Sequence, residues 1–452
     1  MRIWSRILCI VFALCTALVP RAHAQDAIHF LRDAEMEHTL RVWMTPIWKA
    51  AGLDPDAVHV YVINDPTLNS FVAGGQNIFL NSGTIMKAQS PNQLIGVMAH
   101  ETGHIAGGHL ARKTQIMKNA MIESVIGMVL GGAASAMGHG NAGGAGVLAG
   151  ADVGQRAFLQ NSITIEASAD QAALRYLDRT HESARGLLQF FEYLQQEEFL
   201  SAQRRDPYLT DHPLTEERVN YLREHVARSP YSNAKDPPEW VTQFNLIKAK
   251  LGAFLGAPSQ VLASYQPNDN SEQARYARAI AYYRIPDLKN AIPTIDGLIK
   301  DYPNNPYYPE LKGQMLFENG RVADAVAPYQ RAVQLAPNEP LLNIELAQVQ
   351  LETNDPKYLA AAKSELSSAL QAESDNPDGW RSLAIVYGRQ GNIGMAALAL
   401  AEQNMAQANY RQAIGQAQRA QQLLPAGPQR QRAQDLLAEA KRQQQQAQNQ
   451  NQ

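Results

Sequence analysis

Cysteine is almost missing from this chain. Its 452 residues hold two, Cys9 and Cys15, both within the first fifteen positions. Charge of one sign is missing too: 40 basic residues face 43 acidic ones, for a net charge of −3. With no basic excess to meet a phosphate backbone, nucleic acid is excluded as the main partner. Charged residues make up only 18% of the chain and hydrophobic ones 45%. That composition buries a sizeable core and excludes wholesale disorder. A helical membrane span needs about 20 apolar residues, and the runs Ile7 to Val19 and Ser124 to Met137 both fall short.

The N-terminal pattern accounts for the cysteines. Arg2 and Arg6 precede the apolar run, Pro20 breaks it, and Ala22-His23-Ala24 offers an A-x-A cleavage site. This is the pattern of a secretory signal peptide over 1–24. The expected mature chain starts at Gln25 and, without Arg2, Arg6 and Arg21, carries a net charge of −6. It has no cysteine, hence no disulfide and no thiolate metal ligand. A bacterial periplasm fits an exported, disulfide-free protein of this size.

Residues 25–56 read as a helix, with Leu31, Met36, Leu40 and Trp43 near helical spacing. Val58, Val60 and Val62 alternate as a strand; Asn69 to Ala73 and Ile78 to Leu80 follow around a Gly74-Gly75 turn, which predicts a short antiparallel sheet. Ser90 as N-cap, Pro91 at the first helical position and Gln93 closing a capping box start a helix that can run to about Lys113. Ten of the 30 glycines fall within 121–154. That stretch reads either as a buried helical hairpin, or as a mobile loop near the site or a surface touching membrane or a partner. Helical pattern resumes over Ala157 to Leu177 and Ser183 to Leu200, and prolines from Pro207 to Pro238 mark loops.

Beyond 271 the chain repeats. Ala279 and Gly313, Tyr282 and Leu316, Ala291 and Ala325, Ile295 and Tyr329, Pro303 and Pro337 stand 34 apart. That period, with its order of small, aromatic and proline residues, is the tetratricopeptide pattern of stacked helix pairs. About four units and a final helix over 430–442 are expected. The Gln/Asn tail 443–452 reads as disordered.

The chemistry centres on His100-Glu101-Thr102-Gly103-His104, an H-E-x-x-H on the capped helix. Histidines at i and i+4 share one helical face and can reach one Zn²⁺, while Glu101 can take a proton from a water that the ion activates. A histidine six residues beyond His104 would give a third ligand, but Leu110 stands there. His109, five residues on, reads as an exposed helix-end residue. Glu166 is the better third ligand, with Asp170 one turn later placed to fix a liganding imidazole. His212, before Pro213, reads either as a turn residue or as a group reaching the metal's fourth position and holding the enzyme idle; Arg218 could anchor that loop to a carboxylate.

The order of these motifs, H-E-x-x-H, then Glu166-x-x-Ala169-Asp170, then His212-Pro213 and Arg218, resembles the HtpX-type gluzincins, metallopeptidase family forty-eight. Asn69-Ser70-Phe71 and Gly74-Gly75 also resemble that family's strand segment before the metal helix. The resemblance covers about 25–230. It implies one zinc held by His100, His104 and Glu166, with Glu101 as general base. With the signal peptide and repeats, the whole chain is similar to periplasmic proteases of outer-membrane protein assembly. That implies stalled or unfolded outer-membrane proteins as substrates and the β-barrel assembly machinery as a partner. Relatives commonly carry Arg three residues before the ligand Glu; Ile163 stands there.

The expected architecture is an α+β zincin-like metallopeptidase domain at 25–234, mostly helical with a small antiparallel sheet. A linker at 235–271 with few contacts and an all-α tetratricopeptide-repeat solenoid at 272–442 follow. Two other readings compete with the assembly protease: a non-proteolytic repeat-based adaptor or chaperone, and a general periplasmic metallopeptidase.

Overall fold

Asp33 starts the first helix by accepting the Met36 N–H at 2.8 Å. In the computed structural model, which describes residues 29–112, 161–200 and 207–450, this helix α1 is Ala34–Ala50. It is shorter than expected because Phe30–Leu31 pairs as a two-residue strand β1. The expected signal peptide and the stretch 121–154 lie outside the described residues. Among the described helices, none is long and apolar enough to cross a membrane.

Strands β2 (His59–Ile63), β3 (Ser70–Ala73) and β4 (Asn77–Asn81) complete a sheet of order β1-β2-β4-β3. The sheet is mixed, which corrects the antiparallel expectation: β3 and β4 form the predicted hairpin, but β4 runs parallel to β2. Alternation fixes which face is buried and leaves the order of neighbours open. Here the order is set by bonds from the β2–β3 connection to helix α2 (Ser82–Lys87). The Gly83 N–H donates to Asp65 O, and the Asn69 N–H to Thr84 Oγ1.

Helix α3 (Pro91–Ala106) begins as expected, with Ser90 Oγ accepting the Gln93 N–H. It ends at Gly107, short of Lys113, with one further helical turn at 109–112. Helix α4 is described over 161–180. Helices α5 (Arg185–Leu200), α6 (Pro207–Asp211) and α7 (Glu216–Arg228) follow. Residues of α1, the sheet, α3, α4, α5 and α7 share one apolar core around Trp43, Trp48, Ile78, Val97 and Phe191.

The stretch expected to be a linker is two helices, α8 (Pro238–Leu255) and α9 (Pro258–Ser264). A proline-rich lead-in was read as a loop, yet proline at the first helical position starts helices. The α8 helix joins the two halves of the chain. Trp43 donates its indole N–H to Gln243, and Trp240 packs on Trp43. On its other side Leu246, Ala249 and Ala253 enter the core of the first repeat. The expectation of few contacts between the halves is therefore wrong. Arg32 bonds Glu373 at 2.8 Å, the Tyr61 hydroxyl donates to Asp375 at 2.7 Å, and the Tyr276 hydroxyl donates to Glu35 at 2.7 Å.

The repeats are helix pairs, as the 34-residue period predicted. They are α10 (Glu272–Arg284) with α11 (Leu288–Asp301), and α12 (Tyr307–Glu318) with α13 (Val322–Leu335). Then come α14 (Pro340–Glu352) with α15 (Leu359–Ala372), and α16 (Pro377–Arg389) with α17 (Ile393–Ala406). The small positions Ala279, Ala291 and Ala325 are fully buried where helices approach. Two helices close the array instead of one: α18 (Tyr410–Leu423) and α19 (Pro428–Gln450). The tail expected to be disordered continues α19 to Gln450; glutamine and alanine are good helix formers, so composition alone misled there.

Candidate metal centre

The metal-binding motif is built on α3 because its buried face carries both histidines. His100 is fully buried, Glu101 likewise, and His104 is 8% exposed. Helix α4 crosses this face at close range. A Cβ added at Gly103 would stand 2.7 Å from the Ala169 carbonyl oxygen, so only glycine lets the two backbones meet here. The approach brings Glu166 over the histidines. His212, following α6, reaches the same point from the far side.

Four ligand atoms converge. His100 Nε2 lies 3.1 Å from His104 Nε2, 3.2 Å from Glu166 Oε2 and 3.4 Å from His212 Nδ1. His212 Nδ1 is 3.0 Å from Glu166 Oε2, and His104 Nε2 is 3.5 Å from Glu166 Oε1. Tetrahedral ligands at the usual zinc distances stand about 3.3 Å from one another. Spacing and donor set, three imidazoles and a carboxylate, therefore fit a tetrahedral ion.

The outer polar contacts fix which nitrogen faces the centre. His212 Nε2 lies 3.0 Å from the Ser70 carbonyl oxygen, which can only accept. Nε2 thus carries the proton and Nδ1 presents a lone pair. His100 Nδ1 sits 2.9 Å from Asp170 Oδ1, leaving Nε2 for the centre. Arg218 grips Asp170 with two N–H groups at 2.6 and 2.9 Å and donates a third to the Pro213 carbonyl. The anchoring role read for Arg218 is thus realised, with Asp170 as the carboxylate. Burial alone would raise the Asp170 carboxyl, but Arg218 outweighs it and holds it below its ordinary value. Burial likewise opposes ionisation of Glu166, yet His212, His100 and His104 hold it well below the usual carboxylate range.

His109 is the residue misread from sequence. It is 2% exposed, and its Nδ1 lies 3.2 Å from His104 Nδ1. Gly107 ends α3 and Gly108 turns at φ +61°, a left-handed step that folds His109 back over the motif. Burial, then His104 and Arg112, push its imidazole down to about 4, so at neutral pH it is uncharged and its Nδ1 can accept from His104. A glycine pair after an H-E-x-x-H was the available signal.

The sequence points to Ser70 only through the strand resemblance. Its hydroxyl donates to Glu101 Oε1 at 2.6 Å. The other oxygen, Glu101 Oε2, is buried and has no hydrogen-bond partner among the described residues. Tyr208 stacks on His212, ring centres 4.7 Å apart. A cleft of about 220 Å³ opens on the group, lined by Phe71, Glu101, His104, His109, Glu166 and His212.

Residues 32–226 match the model of Peptidase family M48, and 276–340 match a tetratricopeptide repeat. The chain is 27% identical over 377 residues to the β-barrel assembly-enhancing protease of Yersinia pestis, covering 79% of this chain and 73% of that protein. Against the Escherichia coli K12 protein of the same name it is 27% identical over 343 residues, 72% and 66% of the two chains. Among solved structures, the tetratricopeptide protein YrrB is 16% identical, with a TM-score of 0.32 over 42% of this chain and 96% of its own.

Proposed function

Since the chain is a metalloprotease, with a Peptidase family M48 domain followed by tetratricopeptide repeats, we propose that it is a periplasmic zinc endopeptidase acting on unfolded or stalled outer-membrane β-barrel proteins. The observation that carries the reading is a tetrahedral set of His100, His104, Glu166 and His212 beside a buried carboxylate oxygen of Glu101 that has no partner among the described residues. The names of the relatives support barrel proteins as substrates and the barrel-assembly machinery as partner.

Bound zinc supplies Lewis-acid polarisation of the scissile carbonyl and acidifies water at the centre. The chain's residues do the rest. Glu101 Oε2 accepts the water proton and returns it to the leaving nitrogen, while the Ser70 hydroxyl holds Oε1 and so fixes the carboxylate plane. Asp170, clamped by Arg218, keeps the His100 proton on Nδ1.

Catalytic zinc sites keep one position open, and His212 Nδ1 stands where that position would be. The reading is therefore a restrained enzyme whose fourth ligand must leave before substrate enters. His212→Ala is expected to raise casein cleavage while metal content stays unchanged. Lower activity with intact metal would recast His212 as a transition-state stabiliser, and unchanged activity would reduce it to a turn residue.

The ligand set has its own test. After dialysis against a chelator, Glu166→Ala should retain little zinc by atomic absorption. His109→Ala removes only an outer partner and should weaken binding about 10–100-fold. Equal zinc in the two variants would sink the assignment. Co-purification from cross-linked cells separates barrel assembly from a general periplasmic diet: a protease that captures no assembly component has the second role.

A further inference from the structure

The free face of a half-buried sheet usually carries polar residues. This sheet shows aromatic ones. Val60, Val62, Ile78 and Leu80 point into the core. Tyr61, Phe79 and Phe71 form a row on the other side, with Phe30 packed beside its Tyr61 end. Phe30 lies 5.8 Å from Tyr61 and 6.1 Å from Phe79, and ring centres step 5.5 Å from Tyr61 to Phe79 and 5.1 Å on to Phe71. The last two pairs are stacked. None of the four is buried, and Phe30 is 48% exposed. Hydrolysis at the metal centre makes no use of Phe30, Tyr61 or Phe79.

Each end of the row opens on a cleft. Phe71 lines the cleft beside Glu101 and His212. Tyr61 lines a second one of about 470 Å³ between the sheet and the repeats, with Arg32, Glu339, Glu373 and Asp375. Charge stands at both ends, the Arg32 guanidinium 5.7 Å from the Tyr61 ring centre and Glu101, Glu166 and Asp211 in the cleft beside Phe71. The row itself carries none.

We propose that this aromatic row is a docking track leading from the repeat side to the cleavage site, and that its occupant is an extended polypeptide segment with apolar and aromatic side chains at alternate positions. The proposal rests on the peptidase reading and deepens it. Strands of outer-membrane barrels have that alternation and are flanked by aromatic girdles. The two steps from Tyr61 to Phe71 match about three residues of extended chain at roughly 3.3 Å each. Each ring pair formed adds about 0.5–1.5 kcal/mol beyond the area it buries.

The test uses the full chain carrying Glu101→Gln and two fluorescein-labelled peptides of equal length. One has Phe and Tyr at alternate positions; the other has Ser in their place. Anisotropy should show the aromatic peptide binding about tenfold more tightly. Phe30→Ala with Phe79→Val should erase the difference, leaving the serine peptide and the zinc content unchanged. Tyr61→Phe keeps the ring, drops the bond to Asp375 and should preserve the preference. Should the double variant misfold by circular dichroism, Phe30→Ala alone, at an exposed position, must still lower the preference. Equal affinities at the outset, or a preference that survives the substitutions, would overturn the track. So would a change in sedimentation mass on substitution, which would make the row a contact between two copies. If the chain with Glu101 intact cleaves neither peptide nor casein while the preference holds, the peptidase reading fails and the track stands. If casein is cleaved and no preference appears, the track alone fails.

Discussion

Glu101→Gln should keep its fold and its zinc and lose peptide hydrolysis by about 10²–10⁴-fold, the usual worth of a positioned general base. The amide matches the carboxylate in shape and still accepts the Ser70 hydroxyl at the Oε1 position, where the bond is 2.6 Å. What it loses is the basic oxygen at Oε2, which is buried and without a partner among the described residues. Casein cleavage and atomic absorption on the same preparation give the answer. Wild-type turnover in the purified variant would remove Glu101 from the mechanism, and lost zinc would mean that the substitution had disturbed His100 instead.

Lys250→Met should cost about 3–5 kcal/mol of stability, the range for breaking a buried ion pair from one side. Lys250 is 3% exposed, and its ammonium sits 2.6 Å from Asp33 and 3.2 Å from Glu35, with Glu310 at 4.0 Å. Burial works against its charge, but Asp33, Tyr276, Glu35 and Glu310 outweigh burial and hold it well above the ordinary lysine value. Removing this cation leaves Glu35, 4% exposed, to the repulsion of Asp33. Asp33 also caps α1, and Glu310 belongs to the second repeat, so the damage should reach both halves of the chain. Urea unfolding should show a lower midpoint. Lys250→Met combined with Glu35→Gln should recover part of the loss. A midpoint equal to wild type would mean that the cluster is hydrated and weak.

Local signals were read well from the sequence. The Ser90 cap and the H-E-x-x-H face depend on residues within one or two turns, the repeats on a pattern that recurs every 34 residues, and each appears where expected. Glu166 came from motif order, since no spacing on α3 points to a residue 62 positions beyond His104. What was missed depends on distance or on a single dihedral. The place of β4 beside β2 is decided by bonds between residues 65–69 and 82–84. The burial of His109 turns on one left-handed residue at Gly108. The welding of the two halves through α8 needs partners such as Glu35 and Tyr276, 241 positions apart. No window along the chain holds both.

In H-E-x-x-H the two central letters are conventionally free. Here they are not alike. Thr102 spends its hydroxyl on the Met98 carbonyl, a bond inside its own helix that serine could copy. Gly103 has no substitute: its missing side chain is the space through which the Ala169 backbone passes, and even alanine would bring a carbon to 2.7 Å of a carbonyl oxygen and 3.0 Å of a Cα. The spacing of the metal ligands is thereby gauged by main chain resting on main chain, with no repackable side chain between to absorb an error. A saturation library at these two positions should return tolerance at 102 and one letter at 103, a constraint that the motif as usually written conceals.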